Sequence, residues 1–283
     1  MAFNRTVELK AGTTSSSVVI SDLDIEFNIT RSRKFSNNVA KFKIYNPKED
    51  TISKVLKKGN SISFKAGYQD EGMGLIYIGQ IVQSISDKKP PDTVVSIECG
   101  SIQNADTALE SVTLSLSYQK ETYISRVLDE IGTALGLSVV GMKNVSSISL
   151  PNGFTFAGTA KDAMRYCEGI LNNNDTGLFI DNTTLSLFKN DKGNDLQAVK
   201  LTPQTGLMES PKLTDNDDGS ENVQKVLTKR VLFKSILNYK IVPNGYVRIE
   251  SSGVKGDFIV DKCHFVGNNF GGEFYVTGEG LGT

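Results

Sequence analysis

Two runs of strict alternation, joined by a short polar stretch, restrict what this chain can fold into. Leu23, Ile25, Phe27 and Ile29 alternate with Asp24, Glu26, Asn28 and Thr30. Ala40, Phe42 and Ile44 alternate with Lys41, Lys43 and Tyr45. Side chains of a strand repeat every two residues, so each run predicts a strand with one apolar face. With Arg31 to Asn38 between them, the two runs form a β-ribbon. Asn46-Pro47 stops the second run, because proline fixes φ and has no N–H for a ladder. Pro47 suits the first turn of a helix, and Ile52, Val55 and Leu56 then recur at helical spacing before Gly59.

The same alternation continues around the ribbon. Thr6 to Leu9 predicts an earlier strand, and Val18 to Ile20 a lead-in. Ile62, Phe64, Ala66 and Tyr68 predict a third strand of this kind, Leu75 to Ser86 another, and Val95, Ile97 and Cys99 a last one. Residues 1–105 therefore read as one N-terminal β-barrel with a short helix. Closure is an inference, since a period of two also fits a sandwich.

The pattern changes after residue 105. Tyr123, Ile124, Val127, Leu128, Ile131, Ala134 and Leu135 line one face of an amphipathic helix that stops near Gly136. Thr159 is placed to cap a second helix, with Asp162 where Glu or Gln is usual. Leu178 to Ile180 and Thr184 to Phe188 read as a hairpin around Asp181-Asn182. Residues 106–202 thus predict a small α+β domain. Residues 203–222 read as a polar connection. Tyr246 to Glu250, Asp257 to Val266 and Glu273 to Thr277 then predict strands of a C-terminal β-barrel over 203–283. The fold class expected is mainly β, with two barrels flanking an α+β middle.

Bulk properties exclude some functions. The formal net charge of −1 creates no field toward nucleic acid or anionic membranes. No apolar run reaches the roughly 18 residues of a spanning helix, and the N-terminus shows no signal peptide. The odd count of three cysteines, Cys99, Cys167 and Cys263, fits buried reduced thiols rather than a disulfide framework.

Sites of chemistry are scarce. His264 is the single histidine, and in a strand it faces away from Cys263, so the two form no couple. One histidine does not make a zinc centre. Asp215 to Gly219 has glycine one place early for a calcium loop and reads as a solvated acidic turn. Glu168, Asp162, Asp175 and Asp181 could supply a carboxylate pair, but pairs are easily found among 32 acids. No phosphate-binding or nucleophile-elbow motif occurs. No catalytic, metal or cofactor residue is assigned.

The run DIEFNITRSRKFSNNVAKFKIYNPKEDTISKVLKKGNSISFKAGY resembles the opening of baseplate hub proteins of contractile-tailed bacteriophages. The resemblance is carried by Phe27, Ile29, Arg31, Asn38, Ala40, Phe42, Ile44, Tyr45 and Asn46, then by Gly59, Ile62, Phe64, Ala66, Gly67 and Tyr68. It returns near the C-terminus at Leu237, Asn238, Ile241, Gly245, Phe258, Val260, His264, Gly267, Asn268, Gly272, Glu273 and Phe274. Tyr239 departs from it, standing where proline is common. The resemblance implies a structural virion protein without enzymatic activity, located in the tail baseplate and assembled in the host cytoplasm. It implies a homotrimer whose two barrels per subunit give pseudo-sixfold symmetry, joining a sixfold tail tube to a threefold central spike. Tape measure and baseplate wedge proteins are further candidate partners. The outward polar groups Glu26, Asn28, Lys41 and Lys43, with Arg31 and Arg33 near the ribbon tip, are the expected interface. A β-rich tail component that binds or hydrolyses cell-wall carbohydrate is the alternative, weakened by the absence of tryptophan.

Overall fold

The computed structural model describes residues 4–13, 16–34, 38–54, 56–100, 109, 112–214 and 229–282. The N-terminal part holds β1 (Arg5–Gly12), β2 (Ser17–Ile20), β3 (Ile25–Ser32) and β4 (Val39–Tyr45). After helix α1 (Glu49–Lys54) come β5 (Ser61–Tyr68), β6 (Gly72–Lys89) and β7 (Asp92–Gly100). The middle holds β8 (Thr113–Tyr118), β9 (Thr122–Tyr123), α2 (Ile124–Ala134), β10 (Ser138–Val140), β11 (Ser149–Leu150) and β12 (Phe154–Thr159). It continues with α3 (Ala160–Asn172), β13 (Thr176–Asp181) and β14 (Thr184–Lys189). The C-terminal part holds β15 (Val199–Leu201), β16 (Lys212–Thr214), β17 (Arg230–Ile236), β18 (Tyr246–Glu250), β19 (Lys255–Asn268) and β20 (Phe274–Gly282).

The chain is mainly β, as the alternation predicts. The ribbon is β3 and β4, paired from Ile25↔Ile44 to Thr30↔Val39. Ile25, Phe27 and Ile29 are buried opposite Ile44, Phe42 and Ala40, while Lys41 and Lys43 face out. The amphipathic pattern of 123–135 becomes α2, with Ile124, Val127, Leu128 and Ile131 fully buried. Thr159 caps α3 by accepting a hydrogen bond from the Asp162 N–H. The expected hairpin is β13–β14, turning at Asn182 with φ 54°.

Two barrels were expected; among the described strands the ladder pairs trace no closed ring. One 13-stranded sheet runs β16-β17-β20-β19-β3-β4-β7-β6-β5-β1-β2, with β15 and β18 attached through β19. Its joint is the antiparallel pairing of β19 with β3, from Lys262↔Ser32 to Asn268↔Glu26. β3 has β4 on one edge and β19 on the other, so the N-terminal and C-terminal strands are joined edge to edge.

Both chain ends also share one core. Leu9, Phe42, Phe64 and Tyr77 belong to the same buried cluster as Val231, Phe233, Ile249 and Phe265. Phe27 ties the halves together, with its ring 4.7 Å from Phe64 and edge-on to Phe274 at 5.7 Å. Gly267 allows this, since a Cβ there would lie 2.5 Å from the Phe27 ring. The middle part has its own core, in which Leu128, Ile131, Cys167 and Leu171 of the helices pack on Leu178 and Leu185 of β13 and β14.

Candidate assembly interface

The outward face of the β3–β19 joint carries polar groups from both ends of the chain. On β3 the even-numbered residues face out, because Ile25, Phe27 and Ile29 take the inner face. Glu26 accepts hydrogen bonds from Lys43 Nζ at 2.9 Å and from the Tyr45 hydroxyl at 2.6 Å. The Tyr45 hydrogen bond is the main reason that the Glu26 carboxyl lies below its usual range, with burial opposing and Lys43 assisting. The same bond, with burial, pushes Tyr45 up to about 12. Lys41 pairs with Glu98 of β7 at 2.6 Å. Asn28 reaches across the joint to His264 Nε2 at 2.7 Å. Burial, then the nearby Lys262, lowers the His264 pKa. The surface is thus a lattice of cross-strand pairs with little free charge, flanked by Val39, 38% exposed, and Ile85, 52% exposed.

Arg31 and Arg33, near the ribbon tip, were expected at the interface, and both point inward. Each is 3% exposed. The reason is parity, since both continue the odd-numbered series of Ile25, Phe27 and Ile29. Arg31 forms a buried two-pronged ion pair with Asp181 at the end of β13, donating from Nε at 3.0 Å and also from Nη2. Burial works against the charge, but Asp181 more than offsets it and raises the Arg31 pKa. Arg33 stacks over Phe188 at 3.9 Å and donates to the Lys189 carbonyl at 2.7 Å. Among the described residues it gains no carboxylate hydrogen bond, and burial lowers it to about 10. Asn38 donates to the Ile180 carbonyl at 3.2 Å, and Asn182 Oδ1 accepts from the Ile78 N–H at 2.8 Å. These groups lock the β13–β14 hairpin onto the sheet.

The remaining candidates take structural positions. All three cysteines are buried free thiols, and burial pushes Cys167 and Cys263 up to about 12, leaving no thiolate at neutral pH. Asp162 serves the cap of α3 and Asp181 serves Arg31. Glu168 is raised by burial, with Arg165 opposing. Among the described residues, no three His, Cys, Asp or Glu side chains cluster closely enough to hold a metal. The Asp215 to Gly219 turn lies outside the described residues. No described helix is long and apolar enough to cross a membrane.

Sequence reading placed Asp181 and Asn182 at a hairpin turn but missed their contacts with Arg31 and Ile78, and it missed the His264–Asn28 contact across the joint. The parity of Arg31 and Arg33 was a usable signal that they face inward. Nothing in the sequence named their partners about 150 residues away, at separations of 150 for Asp181 and 156 for Lys189.

Comparison with known proteins agrees with this architecture. The tail protein from Neisseria meningitidis MC58 superposes with a TM-score of 0.65 at 9% identity, covering 99% of this chain and 97% of that one. The 43 kDa tail protein of prophage MuSo2 from Shewanella oneidensis gives 0.62 at 8% identity, covering 98% of each chain. The E. coli c3393 protein gives 0.61 at 7% identity, covering 97% of this chain and 76% of that one. It is described as a type VI secretion component structurally similar to the T4 tail proteins gp27 and gp5. At these identities the likeness is one of fold. No curated protein matches the sequence. The model of one family, described as baseplate hub gp41, matches residues 6–280. The chain belongs to that baseplate hub family, whose members are structural proteins of the phage tail.

Proposed function

We propose that the chain is the hub subunit of a contractile-tail baseplate, acting as a homotrimer that joins the sixfold tube to the threefold spike. The observation that carries this reading is the β3–β19 pairing. It fuses an N-terminal and a C-terminal β module edge to edge, with one shared core and one continuous outer face. Three such subunits present six β modules, which is what symmetry matching between six and three requires. Residues 1–105 and 203–283 are the two modules in this reading, and 106–202 is the connector clamped to them by Arg31 and Arg33.

The outer groups Glu26, Asn28, Lys41 and Lys43 form the contact surface toward a neighbouring subunit or the tube. Because Lys41 and Lys43 are already paired within the sheet, the partner must present mixed rather than single-sign charge. Spike, tube, tape measure and wedge proteins are the partners, the virion tail is the location, and the host cytoplasm is the place of assembly. No reaction is catalysed. The joint transmits load through a closely packed β core.

The test is charge reversal on the outer face with the fold preserved. Lys41→Glu together with Lys43→Glu should leave the purified chain folded and block the formation of tails in infected cells. Normal tails from this variant would remove these residues from the interface.

A further inference from the structure

A cleft of about 780 Å³ separates the β13–β14 hairpin and the loop after it from the sheet. It lies on the opposite side of β3 from the polar outer face. Two of its lining residues carry buried polar atoms with no hydrogen-bond partner, Arg31 Nη1 and Asn244 Oδ1. Both residues are more than nine-tenths buried, at 3% and 8% exposure. One offers a charged donor, the other a neutral acceptor. An unmet buried polar group costs about 1–3 kcal/mol, so such atoms are normally paired.

The walls add a second kind of unmet surface. Leu75 and Val140 line the cleft and are 39% and 47% exposed. Charge adds a third. Asp181 is taken by Arg31, and Asp195 by Lys143 at 2.6 Å. Lys189 and Lys192, also lining the cleft, have no acidic partner among the described residues. The excess charge of the cleft is therefore positive.

Each polar atom has less than 1 Å² of accessible surface, so a partner reaches it only when the walls adjust, and a water alone would leave Leu75 and Val140 uncovered. A peptide unit brings one carbonyl acceptor and one N–H donor together, and its side chains bring apolar and acidic groups on alternate sides. We propose that this cleft binds an extended acidic peptide segment of another tail protein. An apolar side chain covers Leu75 and Val140, a carboxylate meets Lys189 and Lys192, and, as side chains of the wall adjust on binding, a segment carbonyl accepts from Arg31 Nη1 and a segment N–H donates to Asn244 Oδ1.

The test uses the full chain against an array of overlapping peptides from the other tail proteins of the same virion. Bound peptides are then titrated in solution by fluorescence polarisation. Val140→Glu and Lys192→Glu change wall and rim without touching the Arg31–Asp181 pair, and an unchanged melting curve verifies their fold. The expected result is binding of acidic, apolar-containing peptides, weakened by each variant about tenfold or more, equivalent to about 1.4 kcal/mol. Phe270→Ala, on a side chain that does not line the cleft, should leave binding unchanged. The proposal is overturned if no peptide binds, or if bound peptides ignore both variants. It is equally overturned if inorganic phosphate alone displaces them completely, which would make this a small-anion site. None of these outcomes depends on the copy number of the hub.

Discussion

Substituting Asp181 by alanine removes the acceptor of a buried guanidinium. Arg31 is 3% exposed, and its side chain donates to Asp181 through both Nε and Nη2. Its third nitrogen, Nη1, has no partner, so nothing in the wild-type arrangement can take over the charge. Removing one member of a buried pair costs about 3–5 kcal/mol, chiefly through the charge left without compensation. Asn38, which also donates to Asp181 at 3.3 Å, would lose that contact. Urea unfolding followed by circular dichroism reads the loss. With a slope of about 3 kcal/mol/M, the midpoint should fall by about 1–1.7 M. Arg31→Met combined with Asp181→Leu removes both charges, and replacing a whole buried pair by apolar groups is often near neutral. The double variant should therefore be more stable than Asp181→Ala alone. If Asp181→Ala lies within about 0.3 M of wild type, or if the double variant is the less stable of the two, the buried-pair reasoning is wrong.

Three further outcomes follow from the same geometry. Phe42→Ala, which removes a ring packed 5.1 Å from Phe64 and 6.4 Å from Tyr77, should cost about 3–5 kcal/mol in the same unfolding assay. Thr159→Ala loses the side-chain acceptor at the start of α3 and should cost about 1 kcal/mol, while Thr159→Ser should retain most of it. Tyr45 is raised from 10.0 to about 12, so the folded state holds its proton longer than the unfolded chain does. Its stabilising contribution is complete below pH 10 and is lost as the pH rises through about 12. An ultraviolet titration should show a tyrosinate step near pH 12, to which Tyr118 also contributes, smaller by one tyrosine in Tyr45→Phe.

Local structure was readable because local patterns determine it. Alternation placed β3 and β4, the helical stripe placed α2, and Thr159 marked the start of α3. β8 was also readable, since Leu114, Leu116 and Tyr118 alternate with Ser and Thr, but the reading passed over it. Long-range pairing was not readable. No property of Glu26 to Ser32 names β19 as a neighbour, because any edge strand with an apolar inner face satisfies the same hydrogen-bonding requirement. That choice of neighbour is what joins the N-terminal strands to the C-terminal strands. The arginines show how a residue's type can mislead where its position does not. Lysine and arginine suggest a surface, yet odd numbering on β3 sends Arg31 inward, and the β13–β14 hairpin supplies the carboxylate that makes burial tolerable.

The central claim is that three copies of this chain place six β modules in one ring. A cryo-electron-microscopy reconstruction of the tail tip, computed without imposed symmetry, measures this directly. The account predicts three copies, with the β3–β19 joint of each inside a single ring and the N-terminal and C-terminal modules alternating around it. Six copies, or a ring built from only one of the two modules, would contradict it.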